Sequence, residues 1–246
     1  MQRYFANISP QETIVLPKDP AHHLVKVMRA KIGTEIELVL ADHCVYRAVL
    51  TETAPEVKLQ ITKRLTINSE LPVSVVLACG IPKTKEKPEL IVQKATEMGA
   101  DKIVFFDAAR SISHWQENKR ERKITRLQKI AKSAAEQSHR NKVPEIKYCD
   151  NLDQLLDRYQ TTKRVVAWEE SAKQGETSAL SQQFQRLRTG DSILAIFGPE
   201  GGLTSEEVMK MNSAGVISVG LGPRILRTET APLYFMAAIS YATELL

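Results

Sequence analysis

The sequence predicts an α/β protein: a small β-rich unit over residues 1–70, then a larger unit over residues 73–246 built on a parallel sheet. Three observations carry this expectation. Short stretches that alternate between polar and apolar residues fill the first seventy positions. Asn68-Ser69-Glu70-Leu71-Pro72 is a polar, proline-ended hinge. Beyond it, continuous apolar runs alternate with segments of helical periodicity, the pattern of a sheet covered by helices on both faces.

In the first unit, Thr34–Leu40, Val45–Leu50 and Val57–Ile61 have a period of two and predict strands. One or two helical turns over Ala21–Arg29 interrupt them. Short strands at this spacing suggest a small barrel or sandwich. After the hinge, Val73–Cys79 reads as a buried strand. A helix follows, with Ile91, Ala95 and Met98 at i, i+4 and i+7, and it stops at Gly99. Ile103–Phe106 is the next strand and residues 118–138 a long helix. Val165–Trp168, Ile193–Phe197 and Val216–Val219 are further short strands. Thr204 opens a helix with a capping box, Glu207 standing three residues on. The last helix starts near Thr230, with Pro232 in its first turn.

Composition narrows the class. The 246 residues are 43% hydrophobic and 26% charged, long enough to bury a core without disulfide or metal staples. Cys44, Cys79 and Cys149 are odd in number and far apart. They exclude a disulfide scaffold and a CxxC metal site and suggest a reducing compartment. The N-terminus lacks the apolar core of a signal peptide, and no apolar run approaches the roughly 20 residues that span a bilayer. A cytoplasmic protein with no membrane association is expected. The formal net charge of +5 is compatible with a polyanionic partner. P-loop and nucleophile-elbow motifs are absent. Gly220-Leu221-Gly222 begins like a dinucleotide fingerprint, but Ile225 replaces the third glycine. The five histidines lack metal-ligand spacing, so no metal is expected.

Four segments remain as candidates for chemistry. Phe197–Thr204 places Gly198, Pro199, Glu200, Gly201 and Gly202 between a buried strand and a capped helix. That is where open α/β sheets bind small molecules, and glycines permit close backbone approach; the bland alternative is a tight strand–helix connection. Val219–Ala231 is a strand end with a Gly-x-Gly-Pro turn and two arginines, Arg224 and Arg227, suited to carboxylates or phosphates. Structural salt bridges, Arg227 to Glu229 or Glu200, are the alternative. The 118–138 helix has a small apolar stripe (Ile124, Leu127, Ala131, Ala134, Ser138). Around it stand Lys119, Arg120, Arg122, Lys123, Arg126, Lys129 and Lys132, with Glu121 the acidic exception. This bias favours a phosphate-backbone contact over a merely solvated face. Its end, Glu136–Glu145, holds more hydrogen-bonding side chains than a C-cap needs. The fourth segment, Lys83–Leu90, is a basic loop that suits a lid, a phosphate contact or a plain mobile loop.

Taken together, Gly198-Pro199-Glu200-Gly201-Gly202 and Leu221–Ala231 resemble the cofactor motifs of SPOUT methyltransferases. Within that superfamily the chain is similar to the branch that methylates N3 of a uridine in 16S rRNA. The narrower resemblance rests on Arg3-Tyr4-Phe5, His22–Gly33, Gln93–Gly99 and Glu136-Gln137-Ser138-x-Arg140-x-x-Val143-Pro144. The matches span nearly the whole chain. Ala41-Asp42-His43-Cys44 departs from it, since the family tends to have an Asp-Gly hairpin there.

The resemblance implies a PUA-like RNA-binding barrel over residues 1–70 and a SPOUT domain with a deep trefoil knot over residues 73–246. It implies S-adenosyl-L-methionine as cofactor, an obligate homodimer, and 16S rRNA of the small ribosomal subunit as partner. On that basis, backbone groups of Leu77, Gly198, Gly202, Leu221, Ile225 and Leu226 are expected to hold the cofactor. Trp168 and Thr230 would wall the pocket, and Pro199, Glu200, Gly201, Gly222 and Arg224 would complete the two loops.

Loss of the N3 proton spreads charge onto the uridine O2 and O4 atoms, which a guanidinium would stabilise. Arg227 and Arg140, the latter reaching in from the other subunit, are the candidates. Glu200, then Glu136, are the candidate proton acceptors. RNA contacts are expected from Arg29 and Lys31 on the barrel, from Lys83 and Lys85, and from Lys119, Arg120, Arg122, Lys123 and Arg126, with strong salt dependence. The competing readings are a SPOUT enzyme acting on another RNA or base atom, a non-catalytic ribosome assembly factor, and a nucleotide-metabolite binder.

Overall fold

The computed structural model describes residues 1–170 and 178–246. They fall into two compact units, Met1–Glu70 with Ala135–Lys142, and Leu71–Ala134 with Val143–Leu246.

The first unit comprises β1 (Arg3–Phe5), β2 (Thr13–Val15), α1 (Lys18–His22) running into a π-helical turn (His23–Val27), β3 (Glu35–Val39), β4 (Val45–Glu52) and β5 (Lys58–Leu65). The strands form one sheet in the order β1-β3-β4-β5-β2, with β1 parallel to β3 and the other pairs antiparallel. Alternation decides the faces: Ile36 and Leu38, Ala48 and Leu50, and Leu59 all point into one core. Tyr4 from β1 and Ile14 from β2, at opposite edges, enter the same cluster, so the sheet curls round it. Hydrogen bonding does not close it into the expected barrel, because β1 and β2 are three-residue edge strands. At the hairpin between β3 and β4, His43 takes φ +58°, the left-handed conformation that glycine favours. Asp42 compensates, accepting from Cys44 N at 3.0 Å and from the Tyr46 hydroxyl at 2.8 Å.

Residues 135–142, remote in sequence, are stitched into this unit by charge. Arg3, 1% exposed, donates through Nε to Glu37 Oε2 at 2.9 Å and through Nη1 to the carbonyls of His139 and Arg140. The guanidinium of Arg140 pairs with Glu70. The Glu70 carboxylate also accepts from the backbone N–H groups of Asn141 (2.8 Å) and Lys142 (3.1 Å). The Asn141 side chain donates to the carbonyl of Ile67 at 2.9 Å. The polar cluster at the end of the long helix is therefore a strap, which explains its excess of hydrogen-bonding groups.

The second unit comprises β6 (Ser74–Gly80), α2 (Glu86–Glu97), β7 (Lys102–Phe106), α3 (Glu117–Gln137, its last three residues counted in the first unit), β8 (Glu145–Cys149), α4 (Leu152–Arg158), β9 (Lys163–Ala167), α5 (Ala179–Gln185), β10 (Ser192–Phe197), α6 (Ser205–Ser213), β11 (Ile217–Val219) and α7 (Thr230–Ser240), which ends in a π-helical turn, Tyr241–Leu245. The sheet is parallel throughout, in the order β11-β9-β10-β6-β7-β8. Successive residues feed opposite cores. Val75, Leu77, Phe105, Ile193 and Phe197 pack with α2, α3 and α7, whereas Val76, Ala78, Phe106, Leu194 and Ile196 pack with α4 and α6. The stripe on α3 is real: Leu127, Ala131 and Ala134 are buried. The capping box of α6 is formed at both ends, Thr204 Oγ1 accepting from Glu207 N at 3.1 Å and Glu207 Oε2 accepting from Thr204 N at 2.8 Å. Among the described residues, no helix is long and apolar enough to cross a membrane.

All three cysteines are free. Burial pushes the Cys79 thiol up to about 12 and raises that of Cys149, whereas Cys44 is half-exposed with Arg64 Nη2 at 2.8 Å from its sulfur. A thiolate-specific reagent at neutral pH is expected to titrate one thiol in the native protein and three after denaturation. Rapid reaction of a second native thiol would contradict the core placement of Cys79 and Cys149.

Candidate active site

Strand register brings three loops together in the second unit. Phe197 at the end of β10 lies beside Ala167 of β9, which lies beside Val219 of β11. The segments leaving these carboxyl ends are therefore neighbours. Chain direction across the sheet changes here, since β10 returns to lie between β9 and β6, and such switch points are where open sheets bind ligands. The cleft they enclose has a volume of ≈ 900 Å³, within the usual range for small-molecule sites.

Its walls include most of the residues flagged from sequence. Gly198, Pro199, Glu200, Gly201 and Gly202 form one side, and Leu221, Gly222, Arg224, Ile225, Leu226 and Arg227 another; Trp168 stands at the end of β9. Gly202 has φ +70°, a conformation L-residues rarely adopt. Gly80, at the end of β6, is set by close approach: a Cβ there would fall 2.5 Å from Pro199 Cδ. Glu207 completes the support. Its Oε1 accepts from Ala109 N at 2.8 Å, while its Oε2 caps α6 directly after the glycine loop.

Other expected residues lie elsewhere. Leu77 is fully buried in the middle of β6, paired with Ala195, and belongs to the core. Thr230 does not line the cleft, although its neighbours Thr228 and Ala231 do. Arg140 and Glu136 belong to the first unit. Arg140 is 2% exposed and committed to Glu70.

Glu200 is in the cleft, but its carboxylate is already engaged. It accepts from Lys83 N at 3.0 and 3.1 Å and from Lys87 Nζ at 2.8 Å. Burial raises its pKa, but the hydrogen bonds from Lys87 and the backbone outweigh that and hold it below the ordinary carboxylate value. A carboxylate so stabilised is a weak proton acceptor. Arg224 and Arg227 are exposed at the rim.

The basic residues of α3 divide. Arg120 pairs with Asp150 at 3.0 Å and covers the Tyr148 ring at 3.9 Å. Arg126 pairs with Glu89 at 2.7 Å. Lys123 lies over Trp115 at 5.1 Å, its pKa lowered by burial and then by Lys85 and Lys119. Lys119 and Arg122 stay exposed, as do Lys83, Lys85, Arg29 and Lys31. Among the described residues no cluster suited to a metal ion is found.

The sequence does not place Lys87, Arg110, Glu169 and Glu170 in the lining, although Lys87 falls in the basic segment Lys83–Leu90, whose second half is the start of α2 and not loop. Arg110 donates to the Gly201 carbonyl at 3.3 Å, against the flank of the glycine loop. Only tertiary packing brings it there, so no local pattern marks it. Lys87 carries a local signal, a cation in the first turn of a helix.

Comparison with known proteins agrees with this geometry. Residues 69–240 match the family model for an RNA methyltransferase domain, and residues 16–62 that for an RNA methyltransferase PUA domain. The chain is 45% identical to ribosomal RNA small subunit methyltransferase E of Bacillus subtilis (strain 168), over 100% of this chain and 98% of that one. Its fold is similar to that of ribosomal RNA small subunit methyltransferase E from Neisseria gonorrhoeae bound to S-adenosyl methionine, with TM-score 0.82 and 29% identity over 98% of this chain and 97% of that one. A methyltransferase from Legionella pneumophila in complex with the same cofactor gives TM-score 0.83 and 25% identity over 98% and 97% of the two chains. The glycine loops, the sheet that positions them and the full-length similarity converge: the chain belongs to the ribosomal RNA small subunit methyltransferase E family.

Proposed function

We propose that this protein transfers a methyl group from S-adenosyl-L-methionine to N3 of a uridine in 16S rRNA of the small ribosomal subunit. The observation that carries the reading is the cleft at the carboxyl ends of β9, β10 and β11, lined by two glycine loops. Its size suits a nucleoside cofactor, and Gly202 at φ +70° lets backbone approach a ligand where a side chain would intrude.

S-adenosylmethionine, when bound, supplies a methyl group already activated by the sulfonium, so the chain's residues need only bind, orient and activate the base. Backbone groups of Gly198, Gly202, Leu221, Ile225 and Leu226, which line the cleft, would hold the cofactor, and Trp168 would close one wall. Arg227, exposed at the rim, would stabilise the charge that appears on the uridine O2 and O4 when N3 gives its proton to solvent water. Glu200, held by Lys83 N and Lys87, keeps its loop in place. Alignment of N3 with the methyl carbon supplies a large part of the acceleration, up to about 7–11 kcal/mol.

The exposed cations Arg29, Lys31, Lys83, Lys85, Lys119 and Arg122 contact RNA phosphates, which place the substrate but do not choose the base. The family resemblance supports a homodimer, a knotted second unit and a cytoplasmic site of action as parts of the same proposal. Labelled S-adenosylmethionine is the test, with unmodified small subunits as acceptor. Wild type is expected to incorporate label, and Gly202→Val to lose both incorporation and calorimetric cofactor binding. Undiminished binding by Gly202→Val would show that the cofactor lies elsewhere.

A further inference from the structure

Lys87 stands in the first turn of α2, with Glu86 and Glu89 as neighbours. A carboxylate is favoured at that end of a helix and a cation disfavoured. Helix stability does not account for this lysine; its partners do. Nζ lies 2.8 Å from Glu200 Oε1 and 3.0 Å from Glu229 Oε2. Glu200 belongs to the loop after β10, Glu229 to the loop before α7, and Lys87 to the helix that follows β6. One ammonium thus ties together three segments round the cleft. The triad is largely shielded, its side chains 20% (Lys87), 27% (Glu200) and 19% (Glu229) exposed, so its attraction is less screened than that of a surface pair.

We propose that Lys87 is a positioning residue of the methyl-transfer site, fixing the spacing between the Glu200 loop and the Glu229 loop on which the cofactor cleft depends. It acts through those loops. The charge states agree: the Glu200 hydrogen bond raises Lys87 against the effect of burial, and both carboxylates are held below their ordinary value although burial raises them. Removing the ammonium does more than delete a contact. Both carboxylates approach one nitrogen, so its loss leaves two like charges within about 6 Å of each other, which repel and spread the loops.

The proposal rests on the reading of the cleft as the cofactor site, and calorimetry with S-adenosylmethionine separates the two. If wild type binds no cofactor, that reading falls. If wild type binds and Lys87→Met binds equally well, the role of Lys87 falls alone. The expected result for Lys87→Met is roughly tenfold weaker binding, about 1.4 kcal/mol. In the methylation assay KM for the cofactor rises to match, while kcat at saturating cofactor is nearly unchanged. Lys87→Arg restores most of the affinity, and adding Glu229→Gln to Lys87→Met recovers part of it by removing one repelling charge. Should Lys87→Met fail to fold, Glu229→Gln alone decides: weakened binding supports the clasp and wild-type binding overturns it.

Discussion

Arg227→Ala is expected to lower methyl transfer by about 10²–10³-fold, the usual loss when one donor to a developing oxyanion is removed. Cofactor affinity should stay at the wild-type level. Arg227 is exposed at the cleft rim, and its carbonyl holds the turn into α7: that oxygen accepts from Thr230 N at 2.8 Å and Ala231 N at 3.0 Å, while its charge adds only a minor part to the lowering of Glu229. Truncating the side chain therefore leaves the start of α7 intact. Lys should rescue only partly, since an ammonium lacks the planar fork that addresses two oxygens at once. Single-turnover kinetics with saturating cofactor make the measurement. Turnover within a few-fold of wild type would remove Arg227 from the chemistry.

The second large effect is on stability. Arg140→Ala is expected to destabilise the protein by about 3–5 kcal/mol, because removing one partner strands a buried charge. The stranded group is Glu70, which among the described residues would keep the N–H groups of Asn141 and Lys142. Thermal unfolding should show the loss. Replacing Arg140 and Glu70 together with leucine should recover much of it, since a well-packed apolar pair removes the uncompensated charge. If Arg140→Ala unfolds like wild type but fails in catalysis, then the guanidinium works in the site and the strap is incidental.

These two arginines show what the sequence made legible. Arg227 follows a Gly-x-Gly-Pro turn and precedes a helix start, so its place at a strand's carboxyl end could be read locally. Arg140 sits in an equally polar motif, but its partner is 70 residues away. No spacing rule connects the two, and a buried ion pair looks the same in sequence as a catalytic guanidinium. Glu200 is a similar case: a charge inside a glycine loop stood out in the sequence, but its bonds to Lys83 N and Lys87, more than a hundred residues away, did not.

Among the elements, the capping box at Thr204 and Glu207 and the stop at Gly99 (φ +97°) were readable because each is one residue type at one fixed offset. β8 was not. It is an edge strand, so Glu145 and Lys147 face solvent and interrupt the apolar run by which the central strands were recognised. The seven-residue helices α4 and α5 were too short to show a period. The basic face of α3 was visible, but which cations stay available was not, because Asp150 and Tyr148, which engage Arg120, come from other elements; Arg126, although paired with Glu89, stays 70% exposed.

The measurement that bears most directly on the proposed activity is nucleoside mass spectrometry of small ribosomal subunits lacking the modification, incubated with the protein and S-adenosylmethionine. The expected product is 3-methyluridine at a single position of 16S rRNA. Methylation on a ribose or on another base, or no methylated nucleoside although the cofactor binds, would contradict it.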